Sequence, residues 1–199
     1  MKSTQLLSIY EFEELFDHGD FELESYDYGR HEVVLSNGVK IRLPLQLRVA
    51  DQRIEFLEDK PFLIVIIKSG EAVLGLVDEG ELVLHKVFRG YLVRKKQGKS
   101  QLKHLKTKGK SRAGSRVRLS STFDFLEQIC QKIEEVYFDL EPERIVFHCS
   151  ELLRPHFFER NKCFGNNDPR LFSLGFNVEK PSYDFLEQVF NRFTAAEVK

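Results

Sequence analysis

The chain has 199 residues, 42% of them hydrophobic and 31% charged, which suits one substantial core and is too apolar for a disordered segment. Its formal net charge of -1 hides an asymmetry: residues 94–118 hold eleven Lys or Arg and no carboxylate, leaving 30 - 11 = 19 cations against 31 carboxylates elsewhere, about -12. One localised polyanion contact on an acidic body is the implication, and a uniformly adhesive surface is excluded.

In chain order, residues 4–17 place Leu6, Leu7, Tyr10, Leu15 and Phe16 at near-helical spacing, predicting a short helix ended by His18-Gly19. EVVLSNGVKIRL reads as two alternating strands joined at Ser36-Asn37-Gly38, a hairpin signal. The apolar, β-branched run FLIVII at 62–67 predicts a strand covered on both faces. With a turn at Asp78-Glu79-Gly80, residues 62–93 read as three consecutive strands. Past the basic segment, SSTFDFLEQICQKIEEVYF puts Leu126, Ile129, Cys130, Ile133, Val136 and Tyr137 on one helical face, with Ser121 or Thr122 as cap.

RIVFHC at 144–149 reads as a strand, and ELLRPHFFER as a short helix disturbed by Pro155. NNDPR marks a turn and LFSLGFNV another strand. Pro181 opens a last helix with Leu186, Val189, Phe190 and Phe193 inward. Strands first, then alternating β and α, predict an α/β or α+β fold with a mixed β-sheet flanked by helices. The pentapeptide DFLEQ occurs at 124–128 and 184–188 without matching flanks, as two amphipathic helices meeting similar core demands produce by chance.

Cys130, Cys149 and Cys163 are odd in number and 19 and 14 residues apart, which is neither a disulfide framework nor a zinc-ligand spacing. No metal and no cofactor is expected. The acidic start lacks a secretory apolar core and no run reaches membrane-span length, so a cytoplasmic protein is expected.

Three readings compete for the basic segment. A solvated charge run is the plain one, but its cations are interleaved with Gly98, Gly109, Gly114, Ser100, Ser111 and Ser115, which keep backbone N–H groups accessible to a phosphate backbone. Gly98-Lys99-Ser100 suggests a phosphate-binding loop, yet the required glycine five positions earlier is Val93. A third reading rests on Gln101: an amide is no general base, but it can hold a water or a sugar hydroxyl by hydrogen bonds. Hydrolysis of an activated ester at a tRNA end needs little more than a water placed in line, with backbone N–H groups for the oxyanion.

VRKKQGKSQ followed by KSRAGSRVR resembles the Vms-type release factor family, peptidyl-tRNA hydrolases of ribosome quality control that are similar to the middle domain of the eukaryotic class I termination factor. Arg94-Lys95-Lys96 match the family's basic strand end, Gly98 to Gln101 its Gly-x-x-Gln loop, and Ala113-Gly114 with Arg116 and Arg118 its Ser-Ala-Gly element. DPRLFSLGFNVEKPSYDFLEQVF resembles the closing strand and helix, so the likeness covers about residues 60–195. It implies a release-factor-like tRNA hydrolase domain over 61–199, its basic loop at 94–118, and a β-rich extension over 1–60 packed upon it. It also implies Gln101 as catalytic glutamine with Gly98 giving the loop its freedom.

Arg94, Lys95, Lys96, Lys99, Ser100, Lys103, Arg112, Arg116 and Arg118 are then the RNA contacts. The partners are the ribosomal large subunit, its rRNA and the tRNA acceptor end of peptidyl-tRNA, met by a monomer without a membrane. Lys99 replaces a small residue of many relatives, Arg112 interrupts the Ser-Ala-Gly run and no tyrosine follows the arginines. A non-enzymatic ribosome- or RNA-binding factor occupying the tRNA site is the alternative. His148 and His156 read as boundary residues and His104 as a further RNA contact.

Overall fold

The structure is a computed structural model that describes residues 5–17, 22–51, 53–57, 60–90 and 110–199, with only the backbone for 15, 17, 110–119 and 138. The chain begins with β1 (Gln5–Leu7), α1 (Ile9–Asp17), β2 (Leu23–Asp27), β3 (Glu32–Leu35), β4 (Lys40–Arg42), β5 (Leu47–Ala50) and β6 (Arg53–Phe56). The helix predicted from residue 4 starts later. Ser8 caps it reciprocally with Glu11: the Ser8 N–H donates to Glu11 Oε2 at 2.7 Å and the Glu11 N–H to Ser8 Oγ at 3.3 Å. Residues 5–7 instead form a strand, because a partner from the far end of the chain satisfies their backbone groups. The Asn-Gly hairpin forms as read, with β3 and β4 paired around Ser36–Gly38.

The chain continues through β7 (Phe62–Lys68), β8 (Glu71–Asp78), β9 (Glu81–Arg89), α2 (Lys110–Leu140), β10 (Arg144–Cys149), α3 (Arg154–Phe158), β11 (Leu171–Ser173), α4 (Tyr183–Phe193) and β12 (Ala196–Val198). The main sheet runs β11-β10-β7-β8-β9. β10 is parallel to both β7 and β11, while β8 is antiparallel to its two neighbours, so the sheet is mixed, as the sequence predicts. β7 is buried along both faces from Phe62 to Ile67 because α2 covers one side and α4 the other. The two DFLEQ segments lie in these helices, Leu126 facing one core and Leu186 the other. α2 buries Phe125, Leu126, Ile129, Ile133 and Val136. At about 1.5–3 kcal/mol per side chain this is on the order of 10 kcal/mol of gross apolar stabilisation.

Three local expectations change. Pro155 lies in the first turn of α3, where its missing N–H costs nothing, so it starts the helix rather than disturbing it. The strand predicted over 171–178 ends at Ser173, because Gly175 takes φ 69° and turns Leu174 and Val178 into the core under α4. The last helix has Ser182 as its cap, accepting from the Phe185 N–H, directly after Pro181. Leu186, Val189 and Phe193 are buried there, and Phe190 is half-buried.

β12 was not foreseen. It lies between β1 and β4 in a second five-stranded sheet, β1-β12-β4-β3-β2, antiparallel to both neighbours. The C-terminal strand thereby completes the sheet built by the first sixty residues. Glu197 of β12 is 6% exposed and accepts from Arg42 Nε at 2.8 Å and Arg192 Nη2 at 2.9 Å. Burial alone pushes its carboxyl up, but bonds and charge from Arg192 and Arg42 outweigh this and hold it below the usual range.

Where the two sheets meet, His31 is 2% exposed. Tyr26 Oη lies 2.6 Å from its Nδ1, while Nε2 lies 2.9 Å from the Pro44 carbonyl and 2.8 Å from Arg144 Nη1. Burial, then the Arg144 charge, pushes its pKa down to about 3. With the folded value below the unfolded 6.5, the unfolded chain binds the extra proton between pH 6.5 and 3. Stability therefore falls as pH drops through that window, by up to about 1.4 kcal/mol per pH unit from this group. His31→Asn, chosen because Asn tolerates the φ of 52° at this position, is expected to flatten the slope. Urea denaturation of both proteins between pH 7 and 4 measures it, and identical slopes would refute the assignment.

Candidate nucleic-acid interface

β7, β9 and β10 all run in one direction, so their C-terminal ends, at Lys68, Arg89 and Cys149, share one edge of the main sheet. The chain leaves this edge after Gly90 and returns at Lys110 as α2. Gly90 fixes the root: its N–H donates to the Gly70 carbonyl at 2.7 Å, and a Cβ there would meet the Phe125 ring at 2.9 Å. Only a glycine lets the strand end approach the helix this closely. Phe125 is the first buried side chain of α2 among the described residues. About 22 Å of helix therefore precedes it, at 1.5 Å per residue from Lys110.

Residues 110–118 belong to that helical stretch, where the sequence predicted a return loop and a helix beginning near Ser121. Arg112 and Arg116 are four residues apart and so share a helix face, with Lys110 and Arg118 on the same turns. No acidic residue stands in the first turn. Cations at a helix N-terminus oppose the macrodipole, and like charges four apart repel, each at a few tenths of a kcal/mol. Helix stability does not account for this arrangement.

Further along, Phe123 is clamped by α3 and its exit: the Arg160 guanidinium lies 4.1 Å from its ring centre and the His156 ring 5.4 Å away. Arg160 also donates to the His156 carbonyl at 2.8 Å. Arg154 sits over Phe147 and Phe158 and donates to Asn166 at 2.8 Å. These cations brace α2 and α3.

Gly98, Gln101, Arg94, Lys95, Lys96, Lys99, Ser100 and Lys103 lie outside the described residues, as does His104. The backbone of Arg112, Arg116 and Arg118 is placed on α2. His148 is half-buried on β10, its pKa lowered by burial and by Lys68 and Arg154, so it stays neutral. His156 is 3.4 Å from Glu159. Burial pushes the Cys130 and Cys149 thiols up to about 12, far from a reactive thiolate. Among the described residues no cluster of His, Cys, Asp or Glu could hold a metal, and no helix is long and apolar enough to cross a membrane.

What sequence reasoning missed is the buried polar seam of His31, Arg42, Arg144 and Glu197. Its partners are separated by 113 residues for His31 and Arg144 and by 155 for Arg42 and Glu197, so no local spacing announces them.

The main sheet thus lies between two helices, and its edge strand β9 precedes the basic segment that leads into α2. The solved structure named "Vms1 mitochondrial localization core" has the same fold, with a TM-score of 0.51 and 11% identity over 99% of this chain and 90% of that one. The model of the Bacteroidetes VLRF1 release factor family matches residues 62–199. The chain belongs to that family. No individually curated protein sequence matches it. The matched segment begins at the first residue of β7 and includes the whole basic segment and α2. Its role is thus release-factor-like, and the ribosome is the partner that such a role implies.

Proposed function

We propose that the protein is a peptidyl-tRNA hydrolase that frees nascent chains from obstructed large subunits, with Gln101 positioning the attack. In this reaction water adds to the ester carbonyl, giving up one proton to bulk solvent, and the tetrahedral oxyanion collapses with cleavage of the bond to the tRNA 3′ oxygen, the carboxylic acid so formed yielding its proton to that oxygen. The tRNA 3′ oxygen leaves and takes up a proton, and the peptide departs as a carboxylate. The Gln101 amide holds the water or the sugar hydroxyl without acting as a base, Gly98 lets the loop enter, and backbone N–H groups beside Gln101 face the oxyanion. Arg94, Lys95, Lys96, Lys99, Ser100, Lys103, Arg112, Arg116 and Arg118 hold rRNA and the acceptor end.

The observation that carries this reading is the acid-free segment containing Gly98–Gln101, joining β9 to the basic start of α2 in a chain of a release factor family. Residues 61–199 form the hydrolase region under this proposal, and 1–60 a β-rich extension sewn to it through β12. The protein works as a cytoplasmic monomer. Purified large subunits carrying peptidyl-tRNA test the reading: added protein is expected to release the peptide, and failure to do so at stoichiometric excess would sink it.

The charge of α2 by itself also suits a factor that occupies the tRNA site without chemistry. Replacing Lys95, Lys96 and Arg116 by Gln is expected to weaken co-sedimentation with large subunits and to flatten its log–log salt dependence by about two to three units, since each lost phosphate contact removes about 0.7–0.9. Unchanged binding at moderate salt would count against both readings, whereas binding without release by the unaltered protein would select the second.

A further inference from the structure

A cavity of about 260 Å³ opens between the two sheets, on the β11 side of the molecule. Arg30, Arg42, Arg192 and Lys199 line it, together with His31, Ser173 and Glu197. It lies across the main sheet from β9, at the opposite edge of the strand order β11-β10-β7-β8-β9. Four strand spacings, about 19 Å, separate it from the root of the basic segment.

The charges around it do not balance. Lys199 is paired with Glu32, Arg42 and Arg192 share Glu197, and Arg30 meets Asp27 at 3.7 Å. Behind the wall, Arg144 is 6% exposed and makes no ion pair among the described residues. It contacts uncharged groups: His31 Nε2 at 2.8 Å, the Leu45 carbonyl at 2.9 Å and the Phe172 ring at 5.5 Å, and all three residues line the cavity. The four cations of the lining, Arg30, Arg42, Arg192 and Lys199, with Arg144 behind them, thus stand against the three carboxylates that pair with them, Asp27, Glu32 and Glu197, while the longer-range pull of Glu143 on Arg144 is opposed by Arg48. Two positive charges are left over.

A buried guanidinium without a counter-charge is costly, and a cavity built beside one is a place for an anion to supply it. His31 cannot take up the role of charge regulator, because burial keeps it neutral down to about pH 3. The excess is permanent, since guanidinium does not titrate in the physiological range.

We propose that this cavity binds the phosphoryl group of a small phosphomonoester, whose charge of about -2 matches the surplus and whose oxygens suit guanidinium forks. The cavity lies just below the usual 300–1,000 Å³ of small-molecule sites, which favours a compact ligand over a dinucleotide. The site is separate from the proposed ester chemistry and does not depend on it.

Isothermal titration at fixed ionic strength with inorganic phosphate and glycerol 3-phosphate, against glycerol and acetate, tests the proposal without any measurement of release. Both phosphoryl probes are expected to bind and both controls to be silent. Arg30→Ser, a change at the exposed mouth, is expected to weaken binding at least tenfold. Ser173→Glu, which places a tethered carboxylate at the lining, is expected to abolish it and to raise the melting temperature of the ligand-free protein. No heat with either phosphoryl probe, acetate binding as tightly as phosphate, or full affinity in both variants would each overturn the proposal.

Discussion

Gln101→Ala is expected to slow peptide release by about 10²- to 10³-fold while leaving affinity for the large subunit near its original value. Under the proposed function, binding rests on the eleven cations of residues 94–118, none of which this substitution alters. Release, in the same proposal, rests on the placement of a water and the stabilisation of an oxyanion. Removing one positioned hydrogen-bonding group from such a site costs about 2.7–4 kcal/mol of barrier. Single-turnover release from large subunits loaded with peptidyl-tRNA, alongside co-sedimentation, gives both quantities in one preparation. Equal release rates would remove Gln101 from the mechanism, and a parallel loss of binding would mean that the residue helps to dock the loop.

The second large effect concerns stability. Glu197→Ala is expected to cost about 3–5 kcal/mol, because it leaves the Arg42 guanidinium, with a side chain only 11% exposed, buried without its carboxylate. Arg42 keeps the Arg192 carbonyl at 2.7 Å and the Phe193 ring at 4.7 Å, neither of which neutralises it. Against a total of about 5–15 kcal/mol this is a large fraction, and a fall in melting temperature on the order of 10 °C follows. The contrast is Glu55→Ala, which breaks the Arg48–Glu55 pair at 2.9 Å. Both side chains there are about half exposed, and the loss is expected to stay below about 1 kcal/mol. Urea denaturation of the two variants compares the same pair chemistry at two depths, and equal losses would show that burial is not what sets the value.

Glu197 also shows how the two sheets are held together. It belongs to β12, next to the C-terminal end of α4, and its partner Arg42 belongs to the first sixty residues. Lys199, two positions later, pairs with Glu32 in the same way. The end of the chain thus reaches back through charged pairs as well as through the β12 ladder.

Elements whose pattern is local were legible. The apolar run of β7, the Asn-Gly hairpin and the three- and four-residue spacing of Leu126, Ile129 and Ile133 each state their structure within a few residues. The Gly98–Gln101 motif and the acid-free charge run are legible for the same reason, and they carry the resemblance to the family. The start of α2 was misread because Gly114 and the dense cations of residues 110–118 argue against a helix locally. In the folded chain those residues continue the helix that packs from Phe125 onward, and propagation from a docked turn is cheaper than nucleation.

By itself, then, the sequence determined the order of strands and helices, the place of the basic segment and the residue proposed to act there, because periodicity, turn chemistry and a short motif are all written over a few neighbouring positions. Only the tertiary structure decided that residues 196–198 are a strand, that Pro155 starts a helix, and that Arg144 is a buried cation beside a cavity. Those outcomes depend on partners more than a hundred residues away for β12 and Arg144, or on where a helix is free to begin for Pro155. A strand of three residues has no pattern of its own until another strand satisfies its hydrogen bonds.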